Sequence, residues 1–143
     1  MDSPSDKKRT LIEAYRKTGV VTANKEAVLL LLYSGAVRFL KQAITATETQ
    51  NIEERTRYIL RTQDIVNELR ASLNFQIDHE IAEQLDALYG FITHRLLMGN
   101  LEKKTIYLEE ALKILTTLHE AWESAISSLT PQPTIVTKEG RTK

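Results

Sequence analysis

The sequence predicts an all-α fold, an antiparallel up-down four-helix bundle with a short additional N-terminal helix. The first observation is that prolines occur only at positions 4, 131 and 133. A proline in the interior of a helix destabilises it by about 3 kcal/mol, so the proline-free stretch between them suits helices. The second is that apolar residues recur at steps of three and four over four long segments of the proline-free interior. The third is that the connections near 49–52, 76–78 and 99–102 are short, which makes consecutive helices antiparallel.

The first two helices follow from their apolar stripes. The first is predicted over about 25–48, with Asn24 as its N-cap, and the second over about 53–75. The stripe of the first comprises Leu29, Leu32, Tyr33, Ala36, Leu40 and Ala43, on a broad apolar face that also takes in Val28 and Phe39. The stripe of the second comprises Ile59, Thr62, Ile65, Val66, Leu69 and Leu73.

The last two long helices have clearer boundaries. The third is predicted over about 79–99, with Asp78 as N-cap and Gly99-Asn100 as its stop; the fourth follows over about 103–129. The stripe of the third comprises Ile81, Leu85, Leu88, Tyr89, Ile92 and Leu96. The stripe of the fourth comprises Leu108, Ala111, Leu112, Leu115, Leu118, Trp122, Ile126 and Leu129.

Length and composition limit the class of protein. The 143 residues predict one domain, with a bundle over 9–129 between disordered tails at 1–8 and 130–143. The 19 basic and 19 acidic residues balance, which argues against a polybasic nucleic-acid binder, and the absence of Cys excludes disulfides and thiolate metal sites. The longest apolar run, Ala27 to Tyr33, is too short to span a bilayer. With no secretory signal at the N-terminus, the expected location is the cytoplasm.

The sequence contains no catalytic or metal-binding motif that we recognise. The three histidines, His79, His94 and His119, lack a Glu three residues earlier, so none forms the Glu-x-x-His pair of a di-iron bundle. His79 is expected on the surface and His119 at the edge of the core. We therefore expect no enzyme activity, no catalytic residue, no cofactor and no metal.

The first helix carries more apolar residues than one core-facing stripe needs. Leu30, Val37 and Ile44 form a separate row at steps of seven, at the edge of the main apolar face. Either the helix is central and contacts three neighbours, or the row lines an exposed groove that binds a partner.

The segment before the first helix is amphipathic in its own right. A short helix is predicted over about 8–17, with Leu11, Ile12 and Tyr15 on one face. A helix of ten residues is marginal alone in water, so we expect it to dock on the groove as a detachable cover. Both sets of residues, the cover and the row in the first helix, are the predicted partner-binding residues.

The order of these residues resembles the flagellar export chaperone (FliS) family over about 9–128. The family's leading signature, Y-x4-V-x-T-A-S-P-x2-L-x3-L-Y-D-G-A, is similar to the stretch made by Tyr15, Val20, Thr22, Ala23, Asn24, Lys25, Val28, Leu32, Tyr33, Ser34, Gly35 and Ala36. Further similar blocks are QDIVNELRASLN at 63–74, LDALY at 85–89 and the single Trp122. The chain departs from the family at Asn24-Lys25, in place of Ser-Pro, and at Ser34, in place of Asp.

The resemblance implies a function. Members of this family are ATP-independent chaperones that bind the disordered C-terminal segment of flagellin, keep it from polymerising and keep it competent for type III export. It also implies that the matching Ile12 and Tyr15 take part in partner binding. Further partners left open are a co-chaperone, an anti-sigma factor or an export-gate component; nucleic-acid binding and membrane insertion are not expected. The alternatives are a self-associating helical adaptor without a flagellin client and, at lower weight, a bundle enzyme or metalloprotein.

Overall fold

The computed structural model describes residues 23–129, which form four long helices and no strand. Helix α1 spans Ala23–Glu48, α2 spans Ile52–Ala71, α3 spans His79–Glu102 and α4 spans Thr105–Leu129. Each helix packs on the next along the chain, and α4 returns to pack on α1. The all-helical prediction is confirmed for these residues, whereas the predicted short helix at 8–17 and both predicted tails lie outside them.

The core is built from the predicted stripes. Tyr33, Leu40, Tyr89, Leu115 and Trp122 are at most 1 % exposed and come from α1, α3 and α4. Helix α2 contributes Ile59, Thr62, Val66 and Leu69 to the same interior. Two members of the predicted stripes do not join it: Val28 is 54 % exposed and Leu88 is 36 % exposed.

The helix starts agree with the predicted capping chemistry at α3 but not at α1. The Asp78 carboxylate accepts a hydrogen bond from the Ile81 backbone N–H at 3.0 Å, as an N-cap does. At α2 the cap is Asn51, whose side chain accepts from the Glu54 N–H at 3.1 Å. Helix α1 already includes Ala23, so Asn24 lies in its first turn and the predicted cap there is wrong.

Two predicted helix ends are also wrong. Helix α2 ends at Ala71 rather than near 75, and α3 continues past Gly99 to Glu102. Lys103, in the left-handed region at φ 60°, ends α3 and donates its backbone N–H to the Gly99 carbonyl. Gly99 serves packing instead of termination: a Cβ placed there would lie 2.4 Å from the Leu108 Cδ2 atom, so its absence lets α4 approach α3 closely.

Candidate docking surfaces

The predicted row on α1 is neither fully exposed nor fully buried. Leu30, Val37 and Ile44 are each half-buried and pack against the hydrophobic core. Their side chains are therefore partly accessible to solvent, and their role in partner binding stays a prediction. The predicted cover residues Leu11, Ile12 and Tyr15 lie outside the described residues, so the pairing of the two sets stays a prediction.

An aromatic cluster joins α1, α3 and α4 beneath that row. The Tyr33 and Tyr89 hydroxyls share a hydrogen bond, and the Trp122 side chain is almost fully buried in the same core. The His119 ring stacks on Tyr33 at 6.2 Å between centroids. Burial raises the pKa of both tyrosines, an effect that the Trp122 side chain partly offsets at Tyr33. The two tyrosine hydroxyls are therefore uncharged structural groups of the core.

Polar side chains join α2 to α3 along the whole of their contact. At one end the Arg55 Nε donates to the Asn100 Oδ1 at 3.1 Å. Midway, the Gln63 amide donates to the Thr93 hydroxyl at 2.9 Å. At the other end Arg70 binds both carboxylate oxygens of Asp86, at 2.5 and 3.3 Å, and this contact raises the pKa of the Arg70 guanidinium. These contacts fix the register of the two helices.

Exposed leucines accompany this polar contact on its outer side. Leu60 on α2 is 57 % exposed, and Leu97 and Leu101 on α3 are 54 % and 66 % exposed. Leu60 and Leu97 lie in the stretch between two interhelical hydrogen bonds, Thr56 with Asn100 and Gln63 with Thr93. We call these three leucines the outer α2–α3 surface.

Sequence reasoning missed this surface. The signal was available, because Leu60 and Leu97 each stand one residue after a core position of their own helix, Ile59 and Leu96. On a helix that step of one residue turns the side chain by about 100° away from the core. Which of the off-stripe leucines face one another depends on helix register, which the spacing alone does not give.

A second set of exposed apolar residues lies near the start of α1. Val28 and Leu31 are 54 % and 71 % exposed. Val28 was expected in the core face, but the structure leaves its side chain largely open to solvent. Further along α1, Gly35 meets the Ile65 side chain of α2, with 3.3 Å between the Ile65 Cδ1 atom and a Cβ built on Gly35.

Arginines lie over aromatic rings at two helix contacts. Between α3 and α4, the Arg95 guanidinium is 4.5 Å from the centroid of Phe91 and its Nε is 2.7 Å from the Glu110 Oε1. Between α1 and α2, Arg38 and Arg61 approach the Phe39 ring at 5.1 and 5.7 Å. These clusters were also missed from the sequence, because they join residues of different helices.

A shallow cleft adjoins the second cluster. It occupies about 410 Å³ beside the α1–α2 connection and is lined by Lys41, Gln42, Glu54 and Tyr58 among others. Its walls carry hydroxyl, amide and charged groups. The cleft can therefore offer polar contacts to a partner at the edge of the bundle.

The histidines occupy ordinary positions. His79 is 70 % exposed at its side chain and pairs with Glu83 at 3.1 Å, as expected for a surface residue. His119 is 21 % exposed at its side chain, at the edge of the core as expected. Among residues 23–129 no group of three or more His, Asp or Glu side chains is placed to hold a metal ion.

One helix passes the length and hydropathy test for a membrane span, by composition alone. It is the stretch of α1 from Lys25 to Glu48. Tyr33, Ala36, Leu40 and Ala43 of this stretch are fully buried among the other helices. Such burial is typical of a core helix, so length and composition alone do not assign α1 to a membrane.

The described residues thus form a helical bundle with a buried core and with large apolar side chains left exposed on its surface. The chain belongs to the FliS family of flagellar proteins, because the family model "Flagellar protein FliS" matches residues 8–129. The chain is 31% identical over 115 residues to the flagellar secretion chaperone FliS of Bacillus subtilis, covering 80% of this chain and 85% of the relative. It is 29% identical over 109 residues to the FliS of Campylobacter jejuni, covering 76% and 85%. It is 26% identical over 121 residues to the FliS of Escherichia coli, covering 81% and 89%.

Proposed function

We propose that the chain is a cytoplasmic export chaperone, without enzyme activity, for flagellin. It binds the disordered C-terminal segment of flagellin, prevents premature polymerisation and keeps the client competent for flagellar type III secretion. The observation that carries the proposal is the family match over nearly all of the described bundle, with relatives that are named flagellar secretion chaperones.

The exposed apolar residues support this role. A disordered client loses conformational entropy when it folds on a partner, so the interface must bury extensive apolar area to compensate. The outer α2–α3 surface and the Val28–Leu31 region expose large apolar side chains on a bundle that already has a complete core. Together with the half-buried row Leu30, Val37 and Ile44, they are the surfaces on which we expect a client segment to lie.

The same proposal includes the finer architecture of the fold. We take the four helices as an up-down bundle within a domain over 9–129, with a short N-terminal helix and tails at 1–8 and 130–143. The contacts between α2 and α3 run in opposite sequence order, which supports the up-down topology. Arg55, early in α2, contacts Asn100, late in α3, whereas Arg70, late in α2, contacts Asp86, early in α3. The α3–α4 contacts follow the same order, since Arg95 pairs with Glu110 and Gly99 lies against Leu108.

In this proposal the client segment has one of two relations to the cover residues Leu11, Ile12 and Tyr15. It either competes with them for one groove or forms that groove jointly with them. Deleting residues 1–17 should therefore change the affinity for flagellin measurably. Deletion of residues 131–143, which lie beyond the family match, is the matched control and should leave the affinity unchanged. Equal affinities for the full chain and the 1–17 deletion would refute the role of the cover.

Calorimetric titration with the C-terminal segment of the same organism's flagellin tests the proposed function. The expected result is one-to-one binding with a negative heat-capacity change, because apolar surface is buried. Absence of binding by a folded bundle would contradict the proposal. It would favour the alternative, a helical adaptor that self-associates through its exposed leucines. That alternative predicts that the mass measured by sedimentation rises with protein concentration when no client is present.

A further inference from the structure

Four arginines of the described residues lie over aromatic rings, and they divide into two kinds. Arg57 lies over Tyr58 and binds Glu54 at 2.7 Å, and Arg95 lies over Phe91 and binds Glu110 at 2.7 Å. Arg38 and Arg61 form no ion pair with any carboxylate among the described residues. Two of the four arginines are thus paired with a glutamate of the chain, and the other two, Arg38 and Arg61, are not.

These two arginines converge on the same ring from different helices. Arg38 of α1 and Arg61 of α2 lie 5.1 and 5.7 Å from the centroid of Phe39. Phe39 in turn stacks on Tyr58 at 6.0 Å. The aromatic faces hold the guanidinium planes in place, which lowers the entropy lost when they bind a ligand. Both guanidiniums are positively charged, so a carboxylate placed between them would be attracted by both.

The surroundings of this pair are apolar on one side and polar on the other. Leu31, Gly35, Arg38 and Gln42 follow one another at steps of four, three and four, so they share one face of α1. Leu31 is 71 % exposed, and at 1.5 Å per residue it lies about 10 Å from Arg38 along the helix. Asp64 is one turn from Arg61 but forms no ion pair with it.

We propose that the surface formed by Leu31, Arg38, Phe39 and Arg61 docks an acidic amphipathic peptide segment of a partner protein. A carboxylate of the partner binds between the two guanidiniums, and an apolar side chain about two helical turns away covers Leu31. This surface is separate from the outer α2–α3 surface, and the inference does not depend on flagellin being the client.

A protein partner fits the charge better than a nucleic acid does. Useful affinity for nucleic acid requires many phosphate contacts, and this surface offers two unpaired guanidiniums on a chain of zero net charge. Two guanidiniums that share one ring match one or two carboxylates, which a single turn of an acidic helix supplies.

The experiment measures fluorescence anisotropy of a labelled, blocked peptide of about 16 residues titrated with the full chain. The peptide is alanine-based, with Glu and Leu seven residues apart to match the spacing of Arg38 and Leu31. We expect saturable binding that weakens as salt is raised, and at least a tenfold loss of affinity in the R38Q/R61Q double variant. The K104Q/K113Q variant, with the same charge change at exposed positions of another face, should bind as the unmodified chain does.

Several results would overturn the proposal. Equal loss in the two double variants, or equal binding of a peptide with Gln in place of Glu, would show that the surface does not recognise carboxylates. Stronger binding of a DNA oligonucleotide or of vesicles with anionic lipids would assign the arginines to another class of partner. Circular dichroism melting of both double variants checks that each remains folded, and the R38K/R61K variant tests whether charge alone suffices without the planar guanidinium.

Discussion

At the scale of single residues, the contact between α3 and α4 depends on one glycine. Gly99 lies inside α3, where alanine would be the better helix former by about 1 kcal/mol. A Cβ at that position would lie 2.4 Å from Cδ2 and 2.8 Å from Cγ of the fully buried Leu108. Steric conflict with a packed core should outweigh helix propensity.

The G99A variant should therefore be less stable than the unmodified chain, by about 1–3 kcal/mol in urea unfolding. The matched control is G90A in the same helix, where the nearest atom to a built Cβ is the end of the Arg70 side chain at 3.4 Å. At position 90 the higher helix propensity of alanine should outweigh any steric conflict, so the G90A variant should be at least as stable as the unmodified chain. A G99A variant as stable as G90A would show that α4 shifts without cost.

The buried tyrosine pair gives a second prediction at this scale. Removing one hydroxyl from the Tyr33–Tyr89 bond leaves the other without that partner, at a cost of about 1–3 kcal/mol, whereas removing both costs less than twice as much. In urea unfolding, the Y33F/Y89F double variant should be more stable than the sum of the single variants implies. Strictly additive effects would contradict a direct hydrogen bond between the two hydroxyls.

The same pair predicts a loss of stability in alkali. Because burial raises the pKa of both hydroxyls, they keep their protons in the folded chain at a pH where the unfolded chain releases them, above about pH 10. Proton release from the unfolded state then favours unfolding, so the contribution is present below about pH 10 and is lost as pH rises further. Between pH 9 and 11, the free energy of unfolding of Y33F/Y89F should fall less steeply than that of the unmodified chain; equal slopes would count against the burial.

At the scale of helices, Arg55 of α2 anchors the end of α3. The side chain is 4 % exposed and donates to the Asn100 Oδ1 and to the Asn100 backbone carbonyl, at 3.1 and 3.4 Å. Carbonyls of a last helical turn lack partners within the helix and attract positive charge. Asn100, taken from the sequence as a stop signal, is instead the acceptor that ties two helices together.

The R55A variant should lose about 2–4 kcal/mol of stability, because it removes a buried side chain and leaves the Asn100 amide oxygen with one partner fewer, the Thr56 hydroxyl remaining. R57A, two residues along α2, removes an exposed arginine paired with Glu54 and should change stability far less, because solvent screens an exposed ion pair. Thermal melting of the two variants compares them directly. A similar melting temperature for both would mean that Arg55 does not hold α3 in place.

At the scale of the whole molecule, the sequence predicts the interior better than the surface. The stripe positions Tyr33, Leu40 and Trp122 are fully or almost fully buried, because burial follows helical periodicity. Spacing indicates that Leu60 and Leu97 point away from the core, but it does not predict that they face one another or that Arg38 converges with Arg61, since each of these contacts depends on the relative register of two helices. The half-buried state of Val37 shows the same limit: spacing placed it at the edge of a face but could not say what packs against it.

The central claim is that a complete bundle binds and orders a disordered flagellin segment. Far-UV circular dichroism of the mixture tests this most directly, by comparing one-to-one chain and flagellin C-terminal segment with the sum of the separate spectra. We expect the mixture to contain more helix than that sum, because the flagellin segment folds on the apolar surfaces of the bundle. A spectrum equal to the sum, under conditions where calorimetry shows that the segment is bound, would contradict coupled folding.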